Sequence, residues 1–146
     1  MRVSTKTRYA ARAMVDLAMH QVEEPISVRE IGVRQGVSRK YLEQLFAALQ
    51  SAGLVRAVRG RRGGHVLGRP PEEITVRDIY EVAEGGEDMV PCGEQEACER
   101  AEECVMREVW AQMQAAMLGA LGSVTLADLA ERARLHAAHD GDMYCI

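Results

Sequence analysis

Residues 27–51, SVREIGVRQGVSRKYLEQLFAALQS, constrain the fold more than any other stretch. Ser27 stands three residues before Glu30, the spacing of a reciprocal helix cap, and Gly36 is a natural closing residue for a helix of about two turns. Ser38 then caps a second helix, with Leu42, Leu45, Phe46 and Leu49 facing inward at helical spacing. Its outward face begins with Arg39, Lys40, Tyr41, Glu43 and Gln44. A short helix, a glycine-containing turn and a second helix with a polar start form a helix-turn-helix, whose second helix is shaped for a major groove.

The flanks fit that reading. Upstream, residues 5–21 place Tyr9, Ala10, Ala13, Met14, Leu17 and Ala18 on one helical stripe, a core helix. Downstream, GLVRAVRGRRGGHVLG reads as a strand over Leu54–Val58, a basic glycine turn and a returning strand over His65–Leu67. The tip carries Arg59, Arg61 and Arg62, able to bind phosphate or enter a narrow minor groove. Gly60, Gly63 and Gly64 permit conformations and close approaches that side chains block. The hairpin is therefore a wing, and His65 is expected to pack or hydrogen-bond at its base.

Charge divides the chain the same way. Residues 1–70 hold 13 Lys and Arg against 5 Asp and Glu, and residues 71–146 hold 5 against 17, so a net +8 is followed by −12. A basic half that meets phosphate and an acidic half with a separate task is the simplest account. With 146 residues the chain builds one substantial core. No stretch has the roughly 20 apolar residues of a membrane span, and no signal-peptide core is present, so a cytoplasmic protein is expected.

The segments KTRYAARAMVDLA, IGVRQGVSRKYLEQLFAALQSAGLV and VRGRRGGHVLG, with three downstream cysteines and EVW after them, resemble one known family over nearly the whole chain. It is the IscR-type iron-sulfur cluster regulators, a bacterial winged helix-turn-helix transcription factor family that also includes NsrR, RirA and CymR. The resemblance implies a mainly α fold with a small β-hairpin wing and a long dimerisation helix. It also implies a homodimer on double-stranded DNA at a pseudo-palindromic operator. Ser38, Lys40, Tyr41, Glu43 and Gln44 would then sit at the groove, and Arg59 with the wing on the adjacent backbone or minor groove. Glu43 stands out, because an acid there repels phosphate yet accepts a hydrogen bond from cytosine.

Cys92, Cys98 and Cys104 lie six residues apart in an acidic loop, and the only other cysteine is Cys145. Zinc sites favour pairs of cysteines two to four residues apart, and no Cys-x-x-Cys redox pair exists. Spacing alone leaves an iron-sulfur cluster, zinc, and reactive or solvated thiols open, with the cluster the best fit. The resemblance makes the three thiols the cluster's ligands, a 2Fe-2S cluster favoured over 4Fe-4S.

The fourth ligand departs from the family. The histidine that completes the site in the IscR branch is replaced by Arg107, and the acid that the NsrR branch borrows from the partner's first helix is replaced by Arg8. A guanidinium is no iron ligand. Glu102, Glu103, Glu108, His139, Cys145, a small thiol or water remain as candidates. An exchangeable fourth ligand suits a sensor of cluster status, iron, redox stress or nitric oxide.

Thr75 caps a connector helix that turns Val76, Ile79, Tyr80, Val82 and Ala83 inward. After Cys104, Met106, Val109, Trp110, Met113, Met117 and Leu121 form a stripe suited to a symmetry mate or to the chain's own core. Thr125 and Asp128 restart a last helix, and His136 and His139 are expected in solvent. The chain thus divides into a DNA-binding domain at 1–84, a cysteine loop at 85–104, and a dimerisation helix with its tail at 105–146. A cluster-free zinc or thiol regulator of the same fold is the alternative, and a small iron-sulfur electron carrier leaves the arginine wing unexplained. No nucleophile-base pair or phosphate loop points to an enzyme.

Overall fold

A computed structural model of the chain describes residues 3–21, 24–86, 100 and 103–140. Among the described residues, six helices and one hairpin run in the order α1 (Thr5–His20), α2 (Val28–Gln35), α3 (Arg39–Ser51), β1 (Val55–Val58), β2 (Gly64–Leu67), α4 (Val76–Glu84), α5 (Arg107–Gly122) and α6 (Leu126–Asp140). A single 3-10 turn, Pro71–Glu73, precedes α4. Among the described residues no helix is long and apolar enough to cross a membrane.

The caps fall where the sequence places them. Ser27 and Glu30 bond reciprocally, and the Ser27 hydroxyl and amide hold the Glu30 carboxyl below its usual range. Gly36 closes α2 at φ 64°, a conformation that costs a residue with a Cβ. The Ser38 hydroxyl accepts the Tyr41 amide, and Thr75 and Asp78 form the same reciprocal box at the start of α4.

α1 is the central post. α2, α3, α4, α6 and β2 all touch it, so more than one face is buried: Thr7, Ala10, Ala13, Met14, Val15, Asp16 and Leu17. The sequence stripe on α1 is narrower than this, because it counts only one packing face. Phe46, Leu42, Leu49, Ile31, Leu54, Ile74 and Ile79 complete the core around it. At about 1.5–3 kcal/mol for each fully buried large apolar side chain, this shared core is the main stabilising term.

α6 returns to the same core, with Leu126, Ala130 and Ala133 buried. Its start is pinned beside α4: the Val76 amide donates to the Val124 carbonyl at 2.9 Å, and the Leu126 amide to the Ile74 carbonyl at 2.7 Å. α5 lies against α4 and buries none of its residues. Trp110, Met113, Met117 and Leu121 are half-buried, while Met106 is 40 % and Val109 48 % exposed.

The strands differ slightly from the sequence reading. β1 begins at Val55, with Leu54 buried just ahead of it, and β2 begins one residue earlier, at Gly64. The antiparallel register pairs Val55 with Leu67 and Val58 with Gly64. Ile26 extends the pairing: its amide and carbonyl exchange hydrogen bonds with those of His65 at 3.0 and 2.8 Å. A Cβ on Gly64 would lie 2.6 Å from the Ile26 carbonyl. The space this glycine keeps open is thus filled by the chain's own backbone, and Gly63 likewise faces the Val58 carbonyl at 2.6 Å.

Candidate nucleic-acid interface and cysteine loop

α3 exposes Arg39, Lys40, Glu43, Gln44, Ala47 and Ser51 along one side, and buries Leu42, Leu45, Phe46 and Leu49 on the other. Ser38, at its N-terminus, is also exposed. Arg39 Nε donates to Glu43 Oε1 at 2.7 Å, an exposed pair one turn apart that a competing anion can open at little cost. Tyr41 differs from its neighbours: its ring is half-buried, edge-on to Tyr9 of α1 at 5.9 Å and 82°.

The wing projects from the end of α3. Arg59, Arg61 and Arg62 are all exposed at the tip, and Gly60, at φ 129°, accepts the Gly63 amide with its carbonyl at 3.0 Å. Arg62 meets Glu24 at 2.7 Å. The base is firmer: Gln21, at the end of α1, accepts the Leu67 amide with its side-chain carbonyl at 2.6 Å.

His65 packs its ring edge-on against Phe46 at 4.8 Å, and its Nδ1 is buried with no hydrogen-bond partner. Burial pushes its pKa below the ordinary value and keeps the ring neutral. The folded state therefore binds the proton more weakly than the unfolded chain. The stability this confers is complete above the unfolded pKa and is lost as pH falls toward the folded one. His65→Phe should flatten the acid limb of a stability-pH profile below about pH 6.5. An unchanged profile would show that His65 does not contribute to it.

Two groups that the sequence reading passed over hold α1 in place. Asp16, 2 % exposed, accepts Arg34 Nη2 at 2.7 Å, Arg34 Nε at 3.0 and 3.1 Å, and Gln35 Nε2 at 2.9 Å. The hydrogen bond from Arg34 to Asp16 raises the guanidinium's pKa further. The second is Glu84, the last residue of α4, which accepts the Ser4 hydroxyl at 2.6 Å, the Ser4 amide at 3.3 Å and the Thr7 hydroxyl. The Ser4 and Thr7 hydroxyls hold its carboxyl below the usual range. A lone acid inside the apolar run AMVDLA was the available signal for Asp16. No comparable pattern marks Glu84.

Beyond Glu84, Gly85 and Gly86 both take positive φ, at 81° and 72°, and lead into the cysteine loop. Cys92, Cys98, Cys145 and Glu102 lie outside the described residues, as does the side chain of His139. Cys104 is a free, half-buried thiol just ahead of α5, and its carbonyl accepts the Arg107 amide at 3.1 Å. Arg107 is the first residue of α5, Glu103 and Glu108 are exposed, and Arg8 is exposed with its guanidinium on Thr5 Oγ1 at 3.2 Å. Among the described residues no three His, Cys, Asp or Glu side chains converge on a point that could hold a metal.

This arrangement has close counterparts. Residues 3–132 match the family model described as Rrf2, iron-dependent transcriptional regulator. The HTH-type transcriptional regulator IscR of Serratia proteamaculans is 39 % identical over 129 residues, covering 88 % of this chain and 79 % of that protein. Protein rrf2 of Nitratidesulfovibrio vulgaris is 39 % identical over 136 residues, covering 92 % and 91 %. Among solved structures, CymR, the global cysteine regulator of B. subtilis, superposes with a TM-score of 0.74 at 40 % identity, covering 90 % of this chain and 98 % of that one. T. potens IscR gives 0.74 at 39 %, covering 100 % and 94 %. With the helix-turn-helix, the wing and these matches in agreement, the chain belongs to the Rrf2 family of transcriptional regulators, is IscR-like, and is not an enzyme.

Proposed function

We propose that the chain is a cytoplasmic homodimer that reads a pseudo-palindromic operator in double-stranded DNA, with its affinity set by an iron-sulfur cluster held by Cys92, Cys98 and Cys104. The observation that carries the cluster is the donor set: three evenly spaced thiols in a loop rooted directly on a winged helix-turn-helix, the last of them a free thiol with partial access to solvent. A bound cluster supplies a group that responds to oxygen, nitric oxide and electron transfer. The chain's own part is to read and to transmit.

Ser38, Arg39, Lys40, Tyr41, Glu43 and Gln44 address the major groove, and Arg59, Arg61 and Arg62 hold phosphates beside it, with Gly63 and Gly64 shaping the wing. The exposed side of α5, which includes Val109, Ala111, Ala115 and Gly119, meets its symmetry mate and fixes the distance between two recognition helices. Residues 1–84 thus serve as reader, 85–104 as sensing loop and 105–146 as the coupling segment. Movement of that loop reaches the reader through Glu84 and through α5 on α4.

A second reading keeps the fold and has the thiols act without a cluster, as a zinc site or a thiol sensor; the free, half-buried Cys104 thiol favours it. Iron and acid-labile sulfide, measured per subunit with the visible spectrum on protein purified without air, separate the two. Stoichiometric iron and sulfide are expected, and protein that is metal-free or loaded with zinc would overturn the cluster reading. In the same preparation, Arg107→His restores a ligating side chain and should slow the loss of visible absorption in air. Equal decay in both proteins would show that Arg107 does not leave the site open.

A further inference from the structure

Arg12, on α1, bonds the residue that ends α2, three positions ahead of the cap of the recognition helix. Its Nη2 donates to the Gln35 backbone carbonyl at 2.7 Å, and its Nε to Gln35 Oε1 at 3.2 Å. Gln35 is the last residue of α2, where helix carbonyls lack partners within the helix, so Arg12 acts as a side-chain cap on that end. Three residues later Ser38 caps α3. The turn that sets the angle between the two helices is therefore fixed on its α2 side by an α1 side chain.

The same guanidinium lies over the Tyr9 ring, 5.5 Å from its centroid, and Tyr9 meets Tyr41 edge to face. Tyr41 occupies the first turn of α3, and its backbone amide is the one Ser38 caps. Arg12 thus touches both sides of the turn: directly at Gln35, and through Tyr9 at Tyr41. Gln35 is also bonded to buried Asp16, so the pair cannot drift as a unit.

We propose that Arg12 is a positioning residue for sequence discrimination, resting on the DNA-reading function above: it holds the recognition helix at the angle from which Lys40, Glu43 and Gln44 reach base edges, without itself meeting DNA. A fork of five N–H donors can bond a backbone carbonyl and an amide oxygen while its plane covers a ring, whereas an ammonium on a flexible stem cannot do both. Base-edge hydrogen bonds fail with sub-ångström misplacement, whereas phosphate contacts tolerate it. Loss of Arg12 therefore removes selectivity before it removes affinity.

The test uses the full-length protein and a pool of duplexes randomised over about 20 base pairs, two helical turns. Sequences enriched by the wild type are then compared with an unselected duplex for wild type, Arg12→Ala and Arg12→Lys, across a salt series. Both variants are expected to lose about tenfold or more in the ratio of selected to unselected affinity, with unselected affinity and salt slope unchanged. A salt slope lower by about two in Arg12→Ala, one for each subunit, would make Arg12 a phosphate contact and overturn the inference. So would full discrimination in Arg12→Lys, which keeps the charge and stem and guards against simple misfolding of the alanine variant. If the wild type enriches nothing, the DNA-reading function itself falls and this inference with it.

Discussion

Asp16→Ala should cost about 3 kcal/mol of stability and lower the urea midpoint without changing the slope of the transition. The carboxylate is 2 % exposed and takes four hydrogen bonds from Arg34 and Gln35, which anchor the last turn of α2 to the central helix. Its removal leaves a guanidinium and an amide facing a small apolar gap. Arg34 is partly open to solvent, so rehydration recovers some of the loss, and the expected cost sits at the lower end for a broken buried pair. Asp16→Asn keeps the volume and part of the bonding and should fall between the two. A change below about 1 kcal/mol for Asp16→Ala would mean that Arg34 and Gln35 turn to water freely and that α2 is held by its apolar face alone.

Replacing Arg59, Arg61 and Arg62 together with alanine should weaken binding to every duplex by a similar factor, on the order of a hundredfold at physiological salt. The slope of log affinity against log salt should fall by about 5.4 for the dimer, which has two wings of three arginines, at about 0.9 for each phosphate released. Arg62 already faces Glu24, but both side chains are well exposed, and such a pair yields readily to a phosphate. Glu43→Ala should behave differently. It frees Arg39 from its present partner and removes an acceptor from the recognition surface, so preference among sequences shifts while the salt slope holds. If the wing and Glu43 substitutions change affinity equally on every sequence, the division between phosphate holding and base reading is wrong.

Local rules made much of the reader legible in the sequence. Ser27, Gly36, Ser38 and Thr75 are caps whose geometry depends on neighbours within four residues, and the α3 stripe needs only a helical period. The wing is legible for the same reason, since glycines and alternating strand residues mark a hairpin without reference to the rest of the chain.

Long-range pairings were not legible. Glu84 meets Ser4 and Thr7 across about eighty positions, and no periodicity records such a meeting. Tyr41 belongs to the outward face by spacing, but its ring is half-buried against Tyr9, because helix period cannot say which neighbour stands beside a face. Gly64 reads as room for a close approach, and it is the Ile26 backbone that comes close. For the cysteines, spacing and resemblance carry the reading: only Cys104 lies among the described residues.

The short bridge that ties Val76 to Val124 and Leu126 to Ile74 has a consequence for synthesis on the ribosome. α1, which α6 must cover, is made well before Leu126, Ala130 and Ala133, which complete its packing. Every cysteine of the loop leaves the exit tunnel before the core can close. A nascent chain halted anywhere between these points carries the finished recognition helix on an open scaffold. The α6 side of the core is therefore completed only after the loop's thiols have been made.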